Sequence, residues 1–265
     1  MRGCDAPLAA TASGFACERG HAFDLARSGH LNLLQPQDKR SASPGDAKAS
    51  IEGRAALHEA GVLAHVTEAI VAAVESGASP SRGAVLDIGC GSGHVARALE
   101  QAGDVVALDL STHAAQRAAR TAPRARVVVA NADRRIPLAT RSCRAAVCVY
   151  GPKPAAELGR VLAPDGVLVL AVPSPDDLVE LRSAITGEEL REDRTASALA
   201  AFGQHFELAE RARVEARREL DAERIAATLA SSYRGARHRE SERAAELTHL
   251  AVTFGADVLV LRPRR

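Results

Sequence analysis

The stretch VLDIGCGSGHV, residues 85–95, decides the fold. Val85, Leu86 and Ile88 read as the end of a buried strand. Gly89, Gly91 and Gly93 come directly after, so the chain must turn sharply before a helix carrying Val95, Ala98 and Leu99. Such a turn binds a ligand, because glycine lets the backbone come close and the first helical turn offers unpaired N–H groups. Spacing narrows the choice. A dinucleotide site reads G-x-G-x-x-G and a P-loop ends in G-K-[ST], whereas this turn is G-x-G-x-G with Asp87 ahead of it and no lysine behind. Twenty-two residues after Asp87, VVALDLS sets Asp109 at the tip of the next apolar strand. An ionised carboxylate there can accept from both hydroxyls of a ribose. Ser111 is a ready cap for the next helix.

Outward from this turn, apolar runs and helical periods alternate: strand 84–88, helix 93–102, strand 104–109, helix 112–121, strand 126–130. Alternation of this kind predicts an α/β fold with a mostly parallel sheet and crossover helices. CRAAVCVYGPK supplies a fourth strand ending at Tyr150, Gly151 and Pro152, and beyond it come a helix, a turn at Pro164–Gly166 and a fifth strand over 167–172. Carboxyl ends of strands carry the substrate site of an open α/β sheet, so Tyr150, one of two tyrosines, is a candidate wall for a planar base. Upstream, a polar loop over 41–46 leads to a helix with Ile51, Ala55 and Leu57 inward. An amphipathic helix over 61–77, with Val62, Val66, Ile70 and Ala73, is expected beside the first strand. Downstream, Asp221 caps a helix running to Ala230, and HLAVTFGADVLVLR reads as two strands around Gly255 and Ala256 forming an antiparallel edge.

A chain of 265 residues, 46% hydrophobic, holds one large domain with room for a small appendage. Its net charge of +1 gives no global basic field, which weighs against nucleic-acid binding. Yet 31 of its 34 basic residues are arginine, the better phosphate fork. Arg211, Arg213, Arg217 and Arg218, then Arg234, Arg237 and Arg239, lie among glutamates and read either as a self-paired solvated surface or as phosphate contacts. No apolar run spans a membrane and no signal peptide opens the chain, so a cytoplasmic protein without a membrane partner is expected. The first 36 residues hold Cys4, Cys17 and His21 as C-x12-C-x3-H. A structural zinc needs four ligands, and Met1 stands where a C-x-x-C partner of Cys4 would fall. Read alone, the three fit a zinc knuckle and a pair of ordinary buried thiols equally well.

Residues 85–95 resemble motif I of the class I S-adenosylmethionine-dependent methyltransferases. The resemblance implies that Asp87, Gly89, Gly91, Ser92 and Gly93 hold the amino acid part of the cofactor and Asp109 its ribose. ANADRRIPL resembles the motif that passes the adenine, with Ala132 and Asp133 nearest the base. The run CERGHAFDLARSGHLNLLQPQDKRSASPGD, residues 17–46, is similar nearly word for word to the N-terminal region of bacterial 23S ribosomal RNA guanine-N1 methyltransferases, a family of housekeeping modifiers and macrolide-resistance enzymes. The segments around Tyr150–Pro152 and 157–181 are similar too. In that family a zinc ribbon precedes the catalytic domain. The resemblance carries its second, third and fourth ligands onto Cys4, Cys17 and His21, leaving the first unmatched.

Membership of such a family implies a ribbon-like RNA-recognition segment over 1–36, a connection over 37–60 and a methyltransferase domain over 61–265. The implied substrate is a guanine in a 23S RNA hairpin loop, since the base must leave its stack, and a homodimer is a candidate assembly. Tyr150 becomes the wall of the base pocket, while Asp133 and Asp177 sit in loops suited to a general base. The chain departs from the family at Leu63, where the family has Tyr, and at Asp177, where it has His, both cofactor positions there. It departs again at LASSYRGAR, residues 229–237, where the family is aromatic. With 3% aromatic residues and no tryptophan, stacking platforms are few. Two rivals therefore stand beside the rRNA enzyme: a small-molecule methyltransferase on the same scaffold, and a non-catalytic protein that binds the cofactor or the ribosome.

Overall fold

The computed structural model describes residues 4, 6–35, 45–78, 83–152, 154–232, 243 and 245–264. Met1, the greater part of the polar loop (residues 41–44) and the second arginine group (Arg234, Arg237 and Arg239) lie outside these residues.

Strands β1 (Ala9–Ala10), β2 (Gly14–Ala16) and β3 (Ala22–Asp24) form a small antiparallel sheet. β4 (Leu31–Asn32) leaves it and pairs in parallel with β7 (Arg126–Val129). The segment read as a separate N-terminal unit, 1–36, thus contributes two residues to the large sheet. That sheet has eight strands. Besides β4 and β7 they are β5 (Ala84–Ile88), β6 (Val105–Asp109), β8 (Cys143–Val149), β9 (Leu162–Pro173), β10 (Phe206–Asp221) and β11 (His249–Pro263), in the order β10-β11-β9-β8-β5-β6-β7-β4. The strands from β4 to β9 are parallel; β11 runs antiparallel to both its neighbours.

Alternation along the strands sorts two cores. Val85, Val105, Val127, Val147 and Val169 face α2 (Ala64–Gly77), α3 (His94–Leu99) and α4 (Thr112–Thr121). Leu86, Val106, Ala146, Leu168 and Leu259 face α5 (Ala155–Val161) and α7 (Thr195–Phe202). There Phe202 meets Phe206 edge-on at 5.9 Å, worth about 1 kcal/mol beyond area burial.

Four sequence expectations change. The helix predicted to reach residue 102 stops at Leu99, and the fifth strand starts at Leu162, five residues early. The amphipathic helix starts at Ala64 and packs chiefly on β9, β11 and β10 instead of on β5; Val66, Ile70 and Val74 are its buried stripe. The two strands expected around Gly255 are one continuous strand, β11. The arginine-rich segment over 211–218 lies in the sixteen-residue edge strand β10, which pairs with β11 along its length, and Arg211, Arg213 and Arg217 there are ion-paired, in keeping with a self-paired surface. Only 256–261 of β11 reach β9, so the 249–255 half of the β10–β11 ribbon rises past the carboxyl edge of the sheet. A third apolar cluster anchors it there: Leu57 of α1 (Lys48–Glu59), Leu181 and Ile185 of α6 (Val179–Thr186), Ile225 of α8 (Ala222–Ser232), and Val252 and Phe254. Asp221 accepts from Arg224 N at 2.9 Å and caps α8, as its sequence position predicts.

Candidate active site

At the carboxyl edge of the sheet, beneath α1 and the raised ribbon, lies a cavity of about 910 Å³. The glycine turn forms its floor. Gly91 has φ +51°, and a Cβ built on it would meet nothing within 4 Å, so its missing side chain opens directly into the cavity. Asp109 shapes this turn: Oδ2 accepts from Gly91 N at 2.9 Å and Oδ1 from Ser111 N at 2.8 Å. Ser111, not Asp109, caps α4 through its side chain. Burial pushes the Asp109 carboxyl above its ordinary value.

Asp87 stands behind the turn, 1% exposed, with Oδ2 lacking any hydrogen-bond partner among the described residues. Burial, with Asp109 beside it, pushes its carboxyl up to about 7. A buried carboxylate on a cavity wall with an unsatisfied oxygen is set for a cationic or N–H donor group on a ligand.

The opposite wall is built from separate segments. Tyr150, directly after β8, sits in the left-handed region, φ +52°, and its ring lines the cavity. Arg54 of α1 lays its guanidinium carbon 5.5 Å from the centre of that ring and donates to Ser231 O at 3.0 Å. Asp177 accepts from Gly255 N at 2.9 Å, and burial lifts its carboxyl to about 6. Leu63 is buried on the lining, Ala132 is buried, and Asp133 is exposed at the rim.

The cavity therefore gathers Leu63, Asp87, Gly89, Gly91, Ser92, Asp109, Ala132, Asp133, Tyr150 and Asp177, all singled out from sequence. Gly93 stands apart. It is off the lining, at φ +83°, and a Cβ there would fall 2.6 Å from Ala118 Cα, so its role is to let α3 and α4 touch. Sequence reasoning missed Arg54, His58 and His94. His58 and His94 stack with centroids 4.8 Å apart, Ser92 Oγ lies 2.9 Å from His94 Nδ1, and burial, then His94, holds the His58 imidazole down to about 3. Only the i, i+4 placement of Arg54 and His58 on an amphipathic helix hinted at a shared face.

In the N-terminal sheet, Cys17 and His21 flank the β2–β3 turn, where Gly20 N donates to Cys17 O at 3.0 Å. Cys4 Sγ lies 3.9 Å from Cys17 Sγ, which lies 3.2 Å from His21 Nδ1, and the three donor atoms fall within 4.8 Å of one another. Burial pushes the Cys17 thiol up, but hydrogen bonds from His21 and the turn outweigh it and bring the thiol down to about 7. Two sulfurs and an imidazole converging in this way fit three corners of a tetrahedral zinc site.

A parallel sheet with one reversed strand, opened by this glycine turn over an acidic carboxylate, defines the class: an S-adenosylmethionine-dependent methyltransferase of class I fold. Residues 85–166 match a family model described as a methyltransferase domain, and residues 4–42 match the zinc-ribbon model described as RlmA, N-terminal. The 23S rRNA (guanine(748)-N(1))-methyltransferase of Streptomyces fradiae is 34% identical over 98% of this chain and 95% of its own. A Micromonospora griseorubida protein, provisionally named a 23S rRNA (guanine-N(1))-methyltransferase, is 34% identical over 77% and 75%. The chain belongs to the 23S rRNA guanine-N1 methyltransferase family. Solved structures share the fold at low identity. A provisionally assigned Bacillus halodurans methyltransferase superposes with a TM-score of 0.52 at 17% identity, over 73% of this chain and 97% of that one. A chain from the Haloferax volcanii complex of the Trm112 activator with a methyltransferase gives 0.54 at 18%, over 85% and 100%. Among the described residues no single helix is long and apolar enough to cross a membrane.

Proposed function

We propose that this protein methylates N1 of a guanine in 23S ribosomal RNA, using S-adenosylmethionine bound on the glycine turn. What supports the reading is one cavity with two unlike walls. The first joins the unsatisfied Asp87 oxygen to the open Gly91 turn; the second sets the Tyr150 ring beside the Asp177 carboxyl. When bound, S-adenosylmethionine supplies a sulfonium methyl group already activated for transfer. The chain's task is then alignment and proton removal. Asp87 pairs with the cofactor's ammonium group, and Gly89, Gly91 and Ser92 give its amino acid part a close backbone cradle. Asp109, whose oxygens each keep a lone pair beyond their backbone bonds, accepts from the ribose. Leu63 and Ala132 line the apolar remainder. Tyr150 walls the guanine, and Asp177, held near 6 by burial, receives the N1 proton; Asp133 serves at the rim.

We assign residues 1–36 to RNA recognition, 37–60 to a connection whose helix α1 roofs the cavity, and 61–265 to catalysis. The target guanine must leave its stack to enter, so a hairpin loop suits the site, and the reaction belongs in the cytoplasm with the ribosome. Primer extension on 23S RNA tests the assignment. Methylation removes the N1 proton used in pairing, so cells carrying the gene should show one new stop a nucleotide before a guanine, reproduced with RNA methylated in vitro. Unchanged 23S RNA, with the purified protein consuming S-adenosylmethionine against a small molecule, would replace the ribosomal reading with the metabolite enzyme.

We further assign zinc to Cys4, Cys17 and His21. Elemental analysis of protein purified without chelator should find one zinc per chain, absent in Cys17→Ser. Well-folded wild-type protein without metal would end that assignment.

A further inference from the structure

We propose that Arg54 contacts the target guanine through its O6 and N7 edge and holds the negative charge the base acquires when N1 loses its proton. This rests on the guanine-N1 reading above. Arg54 lines the cavity from α1 and covers the Tyr150 ring, the wall assigned to the base. Its one hydrogen bond among the described residues takes Nη2 to Ser231 O, while the guanidinium fork carries five N–H groups. Donors remain for a ligand. The neighbouring lining arginines are otherwise engaged: Arg182 donates to Leu190 O and Asp177 O, and Arg194 to Glu192. Arg54 is thus the cation placed against Tyr150, and its charge reaches Asp177 and His58 as well.

The chemistry asks for a cation at this place. As the N1–H bond breaks, the proton passes to the Asp177 carboxylate and the electron pair left on the base spreads to O6. N1 then forms its bond to the methyl carbon while the carbon–sulfur bond breaks, the pair staying on sulfur. A guanidinium fork matches the two acceptors O6 and N7 and faces a donor instead at the amino group of adenine. The same contact therefore selects guanine and lowers the barrier, since a donor aimed at developing charge in a dry site counts for far more than in water.

The test uses the full chain with unmodified 23S RNA as substrate, comparing wild type, Arg54→Gln and Arg54→Lys. Arg54→Gln should lower kcat about 10²-fold, with S-adenosylmethionine affinity by calorimetry and the melting temperature close to wild type. Arg54→Lys should recover part of the rate. An unchanged kcat overturns the proposal. So does a loss of cofactor affinity in step with activity, which would move Arg54 to the cofactor's carboxylate, or a Lys variant as inactive as Gln with a lowered melting temperature. A wild-type enzyme that leaves no N1-methylguanine fails the underlying reading instead.

Discussion

Gly91→Ala should fold and fail to bind S-adenosylmethionine, whereas Gly93→Ala should fail to fold stably. Both glycines sit in the left-handed region, so each alanine carries about 1–2 kcal/mol of backbone strain. Their surroundings then separate them. The new methyl at 91 meets no protein atom and projects into the cavity, so the fold loses little more than the strain while a ligand against the turn is displaced. Affinity by calorimetry should fall at least tenfold, or about 1.4 kcal/mol. At 93 the methyl would sit 2.6 Å from Ala118 Cα, and backbone cannot swing aside as a flexible side chain can. Helix α4 must move from α3, adding roughly 1–3 kcal/mol of overpacking. Thermal melts should show a far larger drop for Gly93→Ala. Equal melts with wild-type affinity in both variants would remove the glycine turn from cofactor binding.

These two residues also mark where sequence reading succeeds and stops. The G-x-G-x-G spacing locates the turn, because glycines between a buried strand and a helix have few other uses. It does not say which glycine faces ligand and which faces a helix, since the second depends on α4, a remote segment. Helix α4 itself spans 112–121 as read, because Ser111 caps it and its Ala114, Ala115 and Ala118 stripe is unambiguous. Strand β10 is illegible for the opposite reason. Its glutamates and arginines are exposed along most of its length, Phe206 and Leu220 are its buried ends, and its pairing comes from β11. Arg211 and Arg213, two apart and so on one face, both close on the buried Asp257 of β11. That ion cluster crosses 44 to 46 residues of sequence and leaves no local pattern. Gly255 reads as a turn in isolation and is held in a straight strand by neighbours on both sides. Arg54 and His58 reach the cavity because α1 folds over a sheet edge far along the chain, a placement no periodicity encodes.

Asp87→Asn should stabilise the ligand-free protein at pH 8 while weakening its hold on S-adenosylmethionine. In the unfolded chain this carboxyl titrates near its ordinary 3.8, and in the folded chain burial raises it to about 7. The folded state therefore holds the proton more tightly. Its contribution to stability is complete below 3.8 and is lost as pH rises through about 7, a span worth up to about 4 kcal/mol for one group. Asparagine cannot ionise, so the variant should melt ~5 °C or more above wild type at pH 8, and the gap should narrow as pH falls through about 7 and close only below 3.8. The cofactor's ammonium would lose its counter-charge at the same step, costing at least about 2 kcal/mol or some thirty-fold in affinity. Wild-type affinity should rise with pH through 7 as Asp87 becomes available as an anion, and the Asn variant should lack that rise. Parallel melting curves for the two proteins from pH 5 to 8, with equal affinities, would mean that the unsatisfied Asp87 oxygen serves neither stability nor the ligand.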